Sequence, residues 1–173
     1  MFVSHLFQMN FNAYLSKFQQ AADKLNKKLL HEKQIEVVVG VVLDSVFLKL
    51  YKKSWASPAQ DPVTAESRIF FSVWLNDPIV KKEKLFYNIH ALKLRKLPGY
   101  KIESRKFAEA FRADFQDFKD QWQNVSTQFG PLTLMEGRLK VDAEDFQDNI
   151  IELANNFLAI EHLIEETLAK FKK

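Results

Sequence analysis

The chain contains no cysteine. Disulfides, thiolate zinc centres and cysteine nucleophiles are excluded together, and the usage fits a reducing compartment. Glycine is almost as scarce, with four residues at positions 40, 99, 130 and 137. No two are spaced for a GxGxxG turn or a Walker loop, which argues against a glycine-built phosphate cradle. Long hydrophobic runs are also missing. The longest uncharged apolar stretches, 37–43 and 69–75, have the length of strands, far short of the roughly 20 residues that cross a bilayer. The opening MFVSHLFQMN has no charged n-region, so the expectation is a cytoplasmic protein with no membrane partner. Asn124-Val125-Ser126 matches a glycosylation sequon but has no secretion signal to serve.

What is present points to one well-filled core. Apolar residues make up 47% of the 173 and phenylalanine alone occurs 16 times, which excludes disorder for most of the chain. The formal charge is only +3, yet it is segregated. Residues 81–106 carry nine basic side chains against Glu83 and Glu103, whereas 142–169 carry eight acidic ones and no Lys or Arg. The separation says more than the total.

Periodicity supplies the elements. Phe11, Leu15, Phe18, Ala22, Leu25 and Leu29 recur four and three apart, which predicts one amphipathic helix over 10–33, capped by Asn10 or Asn12. The β-branched run 35–43 and the alternating 46–52 predict a hairpin turning at Asp44-Ser45, or one long strand bulged at Gly40. Residues 54–67, with two prolines, read as a surface loop on which Trp55 has no evident core partner. A third strand follows over 68–75. Asp77 and Pro78 favour a helix next, but Leu85, Tyr87, Ile89 and Ala91 alternate, so 85–97 is read as a fourth strand. Pro98-Gly99 turns the chain, and Ser104 caps a helix to about residue 124. Phe107, Phe111, Phe115, Phe118 and Trp122 form its stripe. Residues 132–141 form a small strand or lie along the core. Asp142 then caps a last helix about 45 Å long at about 1.5 Å per residue, a length that invites packing on the first helix or on a second copy.

The fold class expected is therefore α+β: an N-terminal helix, an antiparallel meander of three to four strands, and two C-terminal helices packed on one sheet face, the last one long. Residues 1–173 form a single domain. Polar Lys49, Ser72, Asn88 and His90 imply that part of the other sheet face is wet.

Function is less legible. The leading expectation is a non-enzymatic binding module whose basic surface takes an acidic or phosphate-bearing partner, including nucleic acid. Lys93, Arg95, Lys96, Lys101, Arg105 and Lys106 are its candidate anion-binding residues, interleaved with aromatic rings. The bland alternative is that these cations face the acidic last helix. A second reading is a small-ligand protein or enzyme with a pocket between sheet and Phe-rich helix, using Asn88, His90 and Arg112. No nucleophile or paired acid accompanies them, so the balance is against an enzyme. A third is a structural homodimer through the C-terminal helix. Glu161-His162 followed by Glu165-Glu166 resembles a helical ligand set, but the order is reversed from bundle di-metal sites and no second set exists. Neither a metal nor a cofactor is expected.

Overall fold

The computed structural model describes residues 10–77, 82–142 and 144–173. Its described elements are helices α1 (Phe11–Asp23) and α2 (Lys27–Glu32), strands β1 (Glu36–Val42), β2 (Ser45–Tyr51), β3 (Arg68–Asn76) and β4 (Lys84–Leu92), helix α3 (Ser104–Phe115), strand β5 (Thr133–Lys140) and helix α4 (Phe146–Ala169). The five strands lie in chain order as one antiparallel sheet. The class is α+β as expected, with one strand more than the three to four anticipated. The alternation of Met135, Gly137 and Leu139 with Glu136, Arg138 and Lys140 is too short by itself to distinguish a strand from an extended segment, and pairing with β4 makes it one.

Local chemistry explains most boundaries. Asn10 accepts from the Ala13 amide at 3.1 Å, and Asn26 does the same for Leu29 at 3.0 Å. The second cap divides the helix expected over 10–33 into two, because an Asn side chain competes for backbone amides and opens a new first turn. The β1–β2 loop is Leu43-Asp44, one residue earlier than expected, with Val42 opposite Ser45. Gly40 makes no bulge: it pairs with Phe47, whose ring lies 3.0 Å from where a Cβ would stand. Ser104 is the first helical residue rather than the cap. The stripe helix becomes a 3-10 helix at Gln116–Gln121. Asp142 accepts from the Glu144 and Asp145 amides at 3.1 and 3.0 Å, forming a turn that delays the last helix to Phe146. At 24 residues that helix spans about 36 Å, shorter than anticipated. The helix-favouring Pro78 lies outside the described residues.

Strand alternation sorts the sheet into two faces. Val46, Leu48, Leu50, Phe71, Val73, Leu85, Tyr87 and Ile89 are wholly buried and meet the helices. Phe107, Phe111 and Phe115 are wholly buried too, so the space between sheet and Phe-rich helix is filled by rings. Phe157 of α4 stacks on Phe71 with centroids 4.7 Å apart, and Trp122 closes on Phe71 and Tyr87 at 5.9 and 5.1 Å. Phe146 meets Tyr14 and Phe18 of α1 at 5.5 and 5.6 Å. Phe171 meets Phe107 at 5.9 Å. Both ends of the last helix are thus engaged within the chain, and its solvent side presents Glu152, Asn155, Ala159 and Glu166. That side has no apolar stripe to offer a second copy. No helix among the described residues is long and apolar enough to cross a membrane.

Trp55 is a correction to the sequence reading. It is wholly buried, its ring set edge-on to Phe157 at 6.2 Å and its Nε1 donating to Glu165 Oε1 at 3.0 Å. The base of its loop is zipped by the Ala56–Arg68 bridge, which carries the ring inward.

Gly137 is required by its neighbour across the sheet. Tyr87 lies over it and donates its hydroxyl to the Gln123 carbonyl, and a Cβ at 137 would stand 2.2 Å from that hydroxyl. Gly137→Ala is expected to cost about 1–3 kcal/mol through overpacking. It should appear as a lower urea midpoint at unchanged slope.

Candidate functional site

The open face of the sheet is organised in rows, because paired residues on neighbouring strands project to the same side. The central row is polar: Lys49 on β2 opposes Ser72 on β3, Ser72 opposes Asn88 on β4, and Asn88 opposes Glu136 on β5. One flanking row runs Phe47, Trp74, Phe86 and Arg138. The other runs Phe70, His90 and Thr133. A polar strip is therefore walled by rings on both sides. Trp74 and Phe86 touch at 5.2 Å, and Phe70 and His90 at 5.4 Å. A cleft of about 290 Å³ lies along the strip.

Lys49 sets the character of one end. Its Nζ sits 4.5 Å from the Phe47 centroid and 4.6 Å from that of Phe70, a cation held between two π faces. No described carboxylate forms a salt bridge with it. Burial, and then the charge of Arg68, lower its pKa. Arg68 also lies over the Phe70 ring, at 5.3 Å, and donates to the Ala65 carbonyl. At the opposite end Asn88 Nδ2 donates to Glu136 Oε1 at 3.3 Å. Asn88 is 2% exposed, and its Oδ1 has no hydrogen-bond partner.

His90 stands at the rim, where Nδ1 lies 3.3 Å from both the Leu132 carbonyl and Thr133 Oγ1. The Leu132 carbonyl accepts only from a protonated Nδ1, whereas the Thr133 hydroxyl can give or take a proton at the same nitrogen. Burial lowers the His90 pKa, with Lys49 and Arg68 adding to the effect and the Leu132 carbonyl and Glu136 opposing it.

Arg112 belongs elsewhere than beside these two. Its guanidinium donates to the carbonyls of Phe129, Gly130, Thr133 and Leu134 at 2.8–3.1 Å. These surround the irregularity in β5 pairing opposite Ile89 and His90. Arg112 thus clamps a bulge that frees carbonyls from the ladder, and it supports His90 only through Thr133.

The basic run is only partly free. Lys93 and Lys96 lie 3.0 and 2.8 Å from Glu66 Oε1 in the 54–67 loop. Their hydrogen bonds and charge depress the Glu66 carboxyl to about 2. Lys106 pairs with Glu103 at 3.3 Å. Arg95, Lys101 and Arg105 are exposed and form no salt bridge with a described residue. The acidic helix faces other cations. Glu161 lies 3.2 Å from Lys33 and 2.9 Å from Lys52, and Glu165 lies 2.9 Å from Lys52. His162, between them in sequence, packs on the Phe118 ring at 5.7 Å instead. The ligand-like spacing therefore serves a mostly buried ion network.

Sequence reasoning reached Lys49, Ser72, Asn88 and His90 but missed Glu136 and the aromatic rows. The signal for the rows was present: alternation that sends Ile69, Phe71, Val73 and Leu75 inward sends Phe70 and Trp74 outward. Glu136 was hidden because its segment was not assigned to a strand. Comparison with protein-family models, curated proteins and solved structures finds no match to this chain.

Two predictions follow from these groups. Burial alone would lower the Lys52 pKa, but its bonds to Glu165 and Glu161 outweigh that and raise it above 10.5. Its contribution to stability is then complete below pH 10.5 and lost only above. Lys52→Met should cost about 3 kcal/mol by leaving Glu161 buried with less compensation, and adding Glu161→Leu should recover most of that loss; denaturant titration of both variants checks it. For His90 the folded pKa lies below its ordinary 6.5. Its stabilising effect is therefore full above pH 6.5 and declines as pH falls through the folded value. His90→Gln should flatten the slope of stability against pH between 7 and 5, measured by thermal melts across that range.

Proposed function

We propose that this chain is a non-catalytic binding module that takes up single-stranded nucleic acid across the open face of its sheet. The carrying observation is the register that puts Phe47, Phe70, Trp74 and Phe86 on one face with Lys49, Arg68, Lys84, Arg138 and Lys140. Five cations stand there against two carboxylates, Glu136 on β5 and Glu36 on β1, the latter paired with Lys53. Lys84 directly opposes Lys140, a like-charged pair that costs stability in an empty sheet and that a phosphate between them would relieve. Trp74 and Phe86 are half-buried and can stack on bases, Phe47 and Phe70 are buried beside Lys49, and the cations track the backbone, the combination that single-strand binders use. Arg95, Lys101 and Arg105 add positive charge in the segment that follows β4. His90 has its Nδ1 engaged and its pKa lowered, which suits it to hydrogen bonding in place.

The reading is tested with fluorescein-labelled ten-nucleotide oligouridylate and oligothymidylate, titrated by anisotropy at several salt concentrations. Binding should weaken with salt, the logarithmic slope being about −0.7 per phosphate contact. Replacing Arg138 and Lys140 by Glu should reduce that slope by about 1.4 without changing the melting temperature greatly. Trp74→Ala should weaken binding by about 1–3 kcal/mol through lost stacking. Absence of any salt-sensitive binding by the unaltered protein would end the proposal.

A further inference from the structure

The cleft has a direction. An ammonium stands at one end of the polar row and a carboxylate at the other, with Ser72 and Asn88 between. Three strand spacings of about 4.8 Å make the row roughly 14 Å long. Acceptors gather at the Glu136 end. The carboxylate is one. Asn88 Oδ1 is a second: it is buried and has no donor, a state that costs about 1–3 kcal/mol unless something supplies one. Its identity as oxygen is fixed, because the amide nitrogen must be the atom that donates to Glu136. A ligand that completes this end must bring several donors close together on a flat body that fits between rings.

Among the four common RNA bases that description selects guanine. Its pairing edge carries N1–H beside the N2 amino group, two adjacent donors, whereas adenine, cytosine and uracil each present one donor site among acceptors. A guanidinium would also suit the carboxylate, but it would enter a face that already carries Arg138 on the same strand and Lys84 and Lys140 nearby. Resting on the single-strand reading above, we infer that the cleft is a guanine-selecting subsite on the strand's path. Glu136 accepts from N1–H and N2–H, and Asn88 Oδ1 accepts the second N2 proton. Phe70 and Trp74 flank the base. Lys49 lies too far along the row to share that edge and meets the phosphate of the same nucleotide. The cleft volume of about 290 Å³ is of the order of one nucleotide, at the small end of ligand pockets.

The experiment compares ten-nucleotide oligouridylates carrying one central guanosine, inosine, adenosine or cytidine. Inosine is guanosine without the N2 amino group, so the comparison leaves the protein untouched. The guanosine strand should bind at least about tenfold more tightly than the inosine strand, a difference typical of a good base contact. Glu136→Gln, which preserves size, should remove that difference while binding of plain oligouridylate remains. Equal affinity for guanosine and inosine, or a preference that survives Glu136→Gln, overturns the inference and leaves single-strand binding standing. If none of the strands binds, both fall.

Discussion

Register is the constraint on which the rest of the molecule depends. Each strand turns alternate side chains to opposite sides, so a slip of one residue in any pairing would exchange the two faces. A slip of β3 would place Ser72 and Trp74 where Phe71 and Val73 now fill the core. The rows on the open face exist only because four pairings hold at once. The molecule secures them differently along the sheet. Tight turning at Leu43-Asp44 fixes β1 on β2, the Phe47 ring covers Gly40, and Tyr87 covers Gly137. At β5, where pairing is irregular, the Arg112 guanidinium holds the carbonyls that the ladder releases.

Behind the sheet, the aromatic core and the ion network act together. Phe157 joins Phe71 and Trp55 in one contact group, so loop, sheet and last helix share a single packed centre. Lys33, Lys52, Glu161 and Glu165 lie beside it. A buried ion group is weak as a source of stability, since desolvation offsets its attraction. Its geometric effect is clearer here: Glu161 is held by Lys33 and Lys52 and Glu165 by Lys52, cations that lie outside the helix. Rotating the helix by one residue would strand both charges.

How much of this was legible depended on the length scale of the signal. Period-two alternation in 46–51 and 68–75 and the four-three rhythm of 146–168 are local patterns, and they located strands and helices correctly. The break at Asn26 in the helix expected over 10–33 is invisible in the pattern, because a cap inside a continuous apolar rhythm changes the backbone without interrupting it. Trp55 was misjudged because its partners, Phe157 and Glu165, are distant in the chain, and nothing nearby announces them. The site divided the same way. Asn88 and His90 stand two apart on one strand, which sequence alone can place. Their union with Lys49 and Glu136 is a property of pairing. Arg112 shows the reverse error: an arginine near a candidate site in sequence terms was engaged by backbone carbonyls that no side-chain pattern reveals.

The sheet is a meander whose strands meet their chain neighbours, yet its greasy side is closed by the helix that comes last. Lys33 and Glu161 are joined across 128 positions, and Phe18 waits on Phe146 in the same way. During synthesis the first four strands leave the ribosome well before their cover does. The strands can pair with their neighbours as each is made, but the part of the core that Phe157 fills against Phe71 stays open until residues 146–168 have been added, so closing the core trails forming the sheet.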